Sequence, residues 1–207
     1  MTRWGILSDI HGNLPALERA LAGLRARGVE RIAVLGDNLG RGDSAGCVRV
    51  IRRVADVSIV GNRDLDWQDR VDAEVKAYVL ALPRADQIDG IAFSHGDARL
   101  TRDLSTGDIP RDFSRARAWL RAHNCHAWIF GHSHRARGWS LPLNGQPARL
   151  LFDAAAESLP ADIQLPHRET HRYAINAGSV GLPFPGKGPA SALLYDAEAG
   201  LVEIFPV

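Results

Sequence analysis

The sequence predicts an α/β protein with a parallel sheet in its first part and a second, mostly antiparallel sheet towards its end. Three observations predict it. Apolar runs alternate with helical spacing from Arg3 to Val60, giving strand-helix-strand-helix-strand, the order of a sheet with crossover helices. From Trp139 onward the apolar stretches become shorter and strand-like. Five strands end in glycine-flanked polar residues, and open α/β sheets carry their sites at such strand ends.

Taken in order, Arg3 to Ser8 reads as a buried strand. Leu14 to Arg27 reads as a helix because Leu14, Leu17, Leu21 and Leu24 repeat at helical spacing. Asn13 suits its N-cap, Pro15 is tolerated near its start and Gly28 stops it. Ile32 to Leu35 is the second strand, Asp43 to Val54 the second helix and Val57 to Val60 the third strand. Asp69 to Leu82 reads as helical and ends at Pro83. Gly90 to Ser94 is a strand. Asp112 to Ala122 is a helix with Phe113, Ala116 and Leu120 turned inward, and Ala127 to Phe130 is the strand after it. Ala148 to Phe152, Tyr173 to Asn176, Ser191 to Tyr195 and Leu201 to Phe205 form the second sheet. Ala154 to Glu169, with two prolines and little periodicity, is a loop.

At 207 residues the chain is expected to form a single domain spanning residues 1–207. Charges of both signs are dispersed and the formal net charge is +1, which argues against bulk nucleic-acid binding. Cys47 and Cys125 fall at no metal or redox spacing and fit a reducing compartment. The first strand begins almost at once, leaving no room for a signal peptide, and no apolar run approaches the roughly 18 residues of a membrane span. The expectation is a soluble, cytoplasmic protein with neither a membrane nor a stable nucleic-acid partner. Its oligomeric state is left open.

The five strand ends are Leu7-Ser8-Asp9-Ile10-His11-Gly12, Val34-Leu35-Gly36-Asp37, Ile59-Val60-Gly61-Asn62-Arg63-Asp64, Ala92-Phe93-Ser94-His95-Gly96 and Ile129-Phe130-Gly131-His132-Ser133-His134. Residues i and i+2 of a strand share a face, so Asp9 and His11 are expected to converge. Together the segments offer Asp9, His11, Asp37, Asn62, His95, His132 and His134. Seven oxygen and nitrogen ligands exceed what one tetrahedral ion accepts. They suit two ions of the manganese, iron or zinc kind, and the absence of thiolates excludes a structural zinc knot.

That order of motifs resembles the calcineurin-like metallophosphoesterases, and within them the small bacterial and archaeal YfcE-like phosphodiesterase group. The resemblance runs from Trp4 to Tyr195. It includes Asn176-Ala177-Gly178-Ser179-Val180-Gly181-Leu182-Pro183, where Ala177 stands in place of the usual proline. It implies two mixed β-sheets packed as a sandwich flanked by helices. It also implies that Asp9, His11 and His134 hold one metal, that Asn62, His95 and His132 hold a second, and that Asp37 bridges them. The cofactors implied are two divalent or trivalent transition-metal ions, manganese first, with iron or zinc as alternatives. Such a pair converts bridging water into hydroxide and clamps phosphoryl oxygens during in-line attack. The activity implied is hydrolysis of a phosphodiester or a small phosphomonoester.

Two departures bear on catalysis. Most of the superfamily has histidine after the Gly-Asn pair, where it is taken as proton donor to the leaving oxygen; this chain has Arg63. Guanidinium does not release its proton at working pH, but it can stabilise charge on phosphate. Asn62, Arg63 and Asp64 are the catalytic candidates, with Arg63 alternatively paired to Asp64 or another carboxylate and turned away. Arg41, in Gly40-Arg41-Gly42, resembles the phosphate-gripping arginine of protein serine/threonine phosphatases, and with Arg63 it is the candidate for substrate phosphate; a solvated surface arginine is the alternative. Trp67 is read either as a pocket wall or as core, Lys187 as a loop lysine, and His123 as a cation at a helix C-terminus. Two further functions stay open: a protein phosphatase or dinucleoside polyphosphate hydrolase, and a non-catalytic scaffold that retains the fold.

Overall fold

A computed structural model describes residues 2–96, 113–154, 162–183 and 188–207. The described strands make two six-stranded sheets, both mixed. The first is built on β1 (Arg3–Leu7), β2 (Arg31–Val34) and β3 (Val57–Ser58), which pair in parallel. Their crossovers are α1 (Leu14–Ala26) and α2 (Ser44–Val54). Asn13 and Asp43 cap these helices, accepting from the N–H groups of Ala16 and Gly46. A short helix α3 (Asn62–Trp67) starts directly after the third strand end.

The second sheet is assembled from β4 (Ala85–Ile88), β5 (Ile91–Ser94), β6 (Ala127–Phe130), β7 (Ala136–Pro142), β8 (Arg149–Asp153) and β10 (His171–Ala177), in the order β4-β5-β6-β10-β7-β8. Strands β5, β6 and β10 are parallel neighbours. Helix α5 (Ser114–Ala122) covers the outer face, with Ala116 and Leu120 packed against Trp128 and Phe130.

The remaining strands correct the expected partition. The late strands do not form one antiparallel sheet. β11 (Ser191–Asp196) pairs antiparallel with β1, β12 (Leu201–Pro206) follows it, and β9 (Ile163–Gln164) closes that edge, inside the stretch expected to be a loop. The helix expected over 69–82 is broken. A 3-10 turn covers Gln68–Arg70, Val71 is extended, and α4 (Ala73–Ala81) starts afresh with Asp72 accepting from the Val75 N–H at 2.9 Å.

Alternation along the strands builds the sandwich. Trp4 and Ile6 face the space between the sheets, as do Ala127 and Ile129 from the other side, whereas Leu7 packs on α1 and Trp128 and Phe130 pack on α5. Trp4 meets Phe93 across the gap with ring centroids 5.2 Å apart. Among the described residues no helix is long and apolar enough to cross a membrane.

Loops at one end of the sandwich are stitched to one another. The Asp9, His11 and Gly12 N–H groups donate to the carbonyls of Gly36, Asp37 and Asn38 at 2.8–3.0 Å, and those of Val180 and Gly181 donate to Ser8 and Asp9 at 2.9 and 3.0 Å. A Cβ on Gly181 would run into the Ile10 carbonyl. Gly181→Ala is therefore expected to cost about 1–3 kcal/mol in urea unfolding, a typical penalty for overpacking a rigid site. An unchanged midpoint would show that this loop yields freely.

Candidate metal centre

The strand ends do not stay extended. Asp9, His11, Asp37, His132 and His134 all have positive φ, between 52° and 71°, and they are five of the eight non-glycine residues in that region among those described. The left-handed region costs an L-residue about 1–2 kcal/mol, so this concentration marks backbone held to a purpose. It also corrects the expected reason for convergence. β1 ends at Leu7, and Asp9 and His11 meet through a left-handed loop rather than by strand alternation.

Asp9, His11, Asp37 and His134 each present a ligand atom, all within 4.8 Å of one another. His134 Nε2 lies 3.1 Å from Asp9 Oδ1 and 3.3 Å from His11 Nε2. A second group forms beside it. Asn62 Oδ1 is 2.9 Å from His132 Nδ1 and 3.1 Å from His95 Nε2, and those two nitrogens are 3.3 Å apart. Asp37 stands between the groups, with Oδ1 3.3 Å from His95 Nε2 and Oδ2 3.8 Å from His11 Nε2. Ligand atoms about 2.0–2.2 Å from a shared ion stand about 3–3.5 Å apart, so both groups have the spacing of a coordination shell.

The neighbouring hydrogen bonds aim these atoms. His95 Nδ1–H donates to the Leu35 carbonyl at 2.7 Å and His134 Nδ1–H to the Leu182 carbonyl at 2.6 Å, which turns each Nε2 inward. Asp9 Oδ2 accepts from Ser8 Oγ at 2.6 Å and from the His132 N–H at 3.0 Å. Its Oδ1 is buried with no donor in hydrogen-bonding geometry. Asp37 Oδ1 accepts from the Arg63 N–H at 2.7 Å. A buried carboxylate oxygen facing inward-turned imidazole nitrogens lacks a positive charge, and a cation supplies it.

The protonation tendencies point the same way. Burial would raise the Asp9 carboxyl, but the adjoining His134 imidazole and the charges of His95 and His134 hold it well below the usual carboxylate range. Burial disfavours a charged His95, yet the Asp37 carboxylate pushes it up to about 9. Without a metal the two carboxylates draw protons onto imidazoles; a divalent ion meets the same demand.

The third strand end divides its work. Asn62 joins the cage, as described. Arg63 is 54% exposed and borders an open cavity of about 360 Å³ with His11, Gly40, Arg41, Trp67 and Leu182. Its ion-pair partner is Asp66, at 3.7 Å, not Asp64. Asp64, grouped above with the catalytic residues, is fully buried. Its carboxylate accepts from the N–H groups of Asn38, Leu39 and Gly61 at 2.7–2.9 Å, so it ties the Asp37 loop to the Asn62 loop. Burial pushes this carboxyl up to about 6, against the lowering effect of the Gly61 and Leu39 N–H groups. Trp67 borders the cavity and also packs against the cluster of Leu39, Val48, Val75 and Val79. His123 caps α5, its Nδ1 2.9 Å from the Trp119 carbonyl. Lys187 lies outside the described residues.

Sequence reasoning missed the supporting contacts. Ser8 and Ser179, which donates to the Asp9 carbonyl at 3.0 Å, gave no signal beyond their place in the motifs. The Leu35 and Leu182 carbonyls gave none, because any residue supplies a carbonyl.

Two mixed sheets thus bear a carboxylate–imidazole cage, a possible metal-binding site, at their strand ends. Residues 2–200 match the calcineurin-like phosphoesterase superfamily domain, and the chain belongs to that superfamily. It is 29% identical to the uncharacterized protein MJ0912 of Methanocaldococcus jannaschii, over 98% of this chain and 86% of that one. A metallophosphoesterase from Sphaerobacter thermophilus superimposes with a TM-score of 0.74 at 24% identity, covering 100% of this chain and 88% of that one. Yfce, a phosphoesterase from E. coli, superimposes with a TM-score of 0.50 at 20% identity, with both chains fully covered.

Replacing Asp64 tests its positioning role. Asp64→Asn replaces one accepting oxygen with an NH2 donor that faces N–H donors, and is expected to cost about 1–3 kcal/mol of stability. Metal affinity of the folded protein should fall about 10–100-fold, the usual effect of losing a ligand's support. Calorimetric titration of the metal-free protein with manganese measures this; wild-type affinity would rule the role out.

Proposed function

We propose that the protein is a dinuclear-metal-dependent phosphoesterase that hydrolyses a phosphodiester or a small phosphomonoester, with manganese as the first choice of metal and iron or zinc as alternatives. The observation that carries this reading is Asp37, whose two carboxylate oxygens face two separate groups of ligand atoms. Asp9, His11 and His134 would hold one ion and Asn62, His95 and His132 the other. When bound, such a pair acidifies water and offsets phosphoryl charge.

The chain's own residues do the rest. Asp37 sets the spacing of the two groups, and the Arg63 N–H fixes its Oδ1. Leu35 and Leu182 hold the imidazole rings in the ligating orientation. The cavity beside His11 receives the substrate, with Arg41 and Arg63 as phosphate contacts. The partner is a small phosphate ester rather than a membrane or nucleic acid. The free, buried Cys47 and Cys125 support a reducing, cytoplasmic setting.

Dialysis against a chelator should abolish hydrolysis of bis(p-nitrophenyl) phosphate, and added manganese should restore it with two ions bound per chain. Saturation at one ion would overturn the dinuclear reading. Asp37→Asn should keep the wild-type circular dichroism spectrum while kcat falls at least about 10²-fold, as expected where charge stabilisation is lost. Full turnover by that variant would remove Asp37 from the mechanism.

A further inference from the structure

We propose that the Ser179 hydroxyl is a positioning group that sets the ligating orientation of His134, and that it governs one of the two metal positions and not the other. The inference rests on the two-ion reading above and deepens it by naming what holds the first position. It starts from the short segment after β10. The Ser179 carbonyl accepts from the Ser191 N–H at 2.9 Å, which ties it to the start of β11. The Val180 and Gly181 N–H groups donate to Ser8 and Asp9, and the Gly181 carbonyl accepts from Asn13 Nδ2 at 3.0 Å. Ser179 itself is buried. Its Oγ donates to the Asp9 carbonyl at 3.0 Å and accepts from the Leu182 N–H at 3.0 Å. A hydroxyl donates and accepts at one atom, and here both capacities are used.

The Leu182 peptide carries this hold to the cage. Leu182 precedes Pro183, and a proline ring confines the residue before it to extended backbone. With that freedom reduced, the direction of the Leu182 N–H largely fixes the direction of its carbonyl. That carbonyl accepts from His134 Nδ1–H at 2.6 Å, and His134 Nε2 lies 3.1 Å from Asp9 Oδ1. The two bonds of the Ser179 hydroxyl therefore end on Asp9 directly and on His134 through Leu182. Both residues belong to the same group of ligand atoms. The second group is braced from other segments. His95 Nδ1–H donates to the Leu35 carbonyl, and the Gly61 N–H, just ahead of Asn62, donates to Asp64. Removing the Ser179 hydroxyl leaves those bonds in place. It takes the acceptor from the Leu182 N–H and frees the carbonyl opposite His134 to turn, and a ring that loses its partner on one nitrogen loses the aim of the other.

The test uses Ser179→Ala in the full chain with two readouts. In proton NMR of the metal-free protein labelled with nitrogen-15 histidine, the Nδ1–H signals of His95 and His134 report the two carbonyl bonds separately. The His134 signal should broaden or vanish through exchange with water, and the His95 signal should stay. In calorimetric titration with manganese, one of the two binding steps should weaken about 10–100-fold while the other keeps its wild-type affinity. Pro183→Ala, a change at an exposed residue, keeps the hydroxyl but frees the Leu182 backbone, and should weaken the same step. It decides the matter alone should Ser179→Ala fail to fold. Both NMR signals unchanged, both lost together, or equal weakening of the two steps would overturn the assignment. So would a lost His134 signal with both affinities intact, or a Pro183→Ala protein that binds both ions as the wild type does. A wild type that saturates at one ion would remove the two-ion reading instead; the His134 signal and the affinity for that single ion would then decide the role of Ser179.

Discussion

The structure depends on one carboxylate. Asp9 is completely buried where the two sheets meet, and almost every polar atom it owns is used. Its N–H donates to Gly36 beyond β2, and its carbonyl accepts from Gly181 and Ser179 beyond β10. Its Oδ2 accepts from Ser8 and from the His132 N–H beyond β6. Loops from both sheets are thus fastened to one residue, and the remaining Oδ1 is directed at His134 and His11. A buried carboxylate with an unmet lone pair is costly, so the arrangement makes sense only around a cation.

The same economy explains the strained backbone. Several loop residues in left-handed conformations would together offset a sizeable part of a domain's net stability. The loops are therefore braced by backbone bonds to one another rather than left to solvent, and glycines sit where a Cβ would collide. Gly40 abuts the His11 carbonyl, and Gly61 abuts Asp37. Sandwich and cage are thermodynamically coupled, because packing between the sheets holds loops whose conformations the local sequence disfavours.

This coupling also sets what could be read from the sequence. β1, β2 and β3 with their crossovers were legible because each is local: a run of apolar residues, a helical period, a cap. The residues of the cage were legible because they fall at strand ends close to glycine. The destination of β11 and β12 was not, since alternation gives a strand two faces but does not name its neighbour; pairing with β1 across the chain is decided by packing. β9 has only two residues, too few for a period to show. Asp64 was assigned among the catalytic groups because a carboxylate next to a ligand carries the same signal whether it faces substrate or the protein interior. Only burial and three backbone donors separate the two.

The start of α3 shows how three neighbouring residues come to do three jobs. Successive helical side chains are turned by about 100°, so adjacent residues cannot face one target. Asn62 turns into the cage, Arg63 out to the cavity and Asp64 back into the protein. Position 63 can therefore change without disturbing a ligand or the clamp between loops. Histidine there would bring a proton to the departing group; arginine brings a permanent charge and two coplanar donors. The side chain at position 63 thus reaches the cavity from a place in the helix whose neighbours on either side are committed to the cage and to the protein interior.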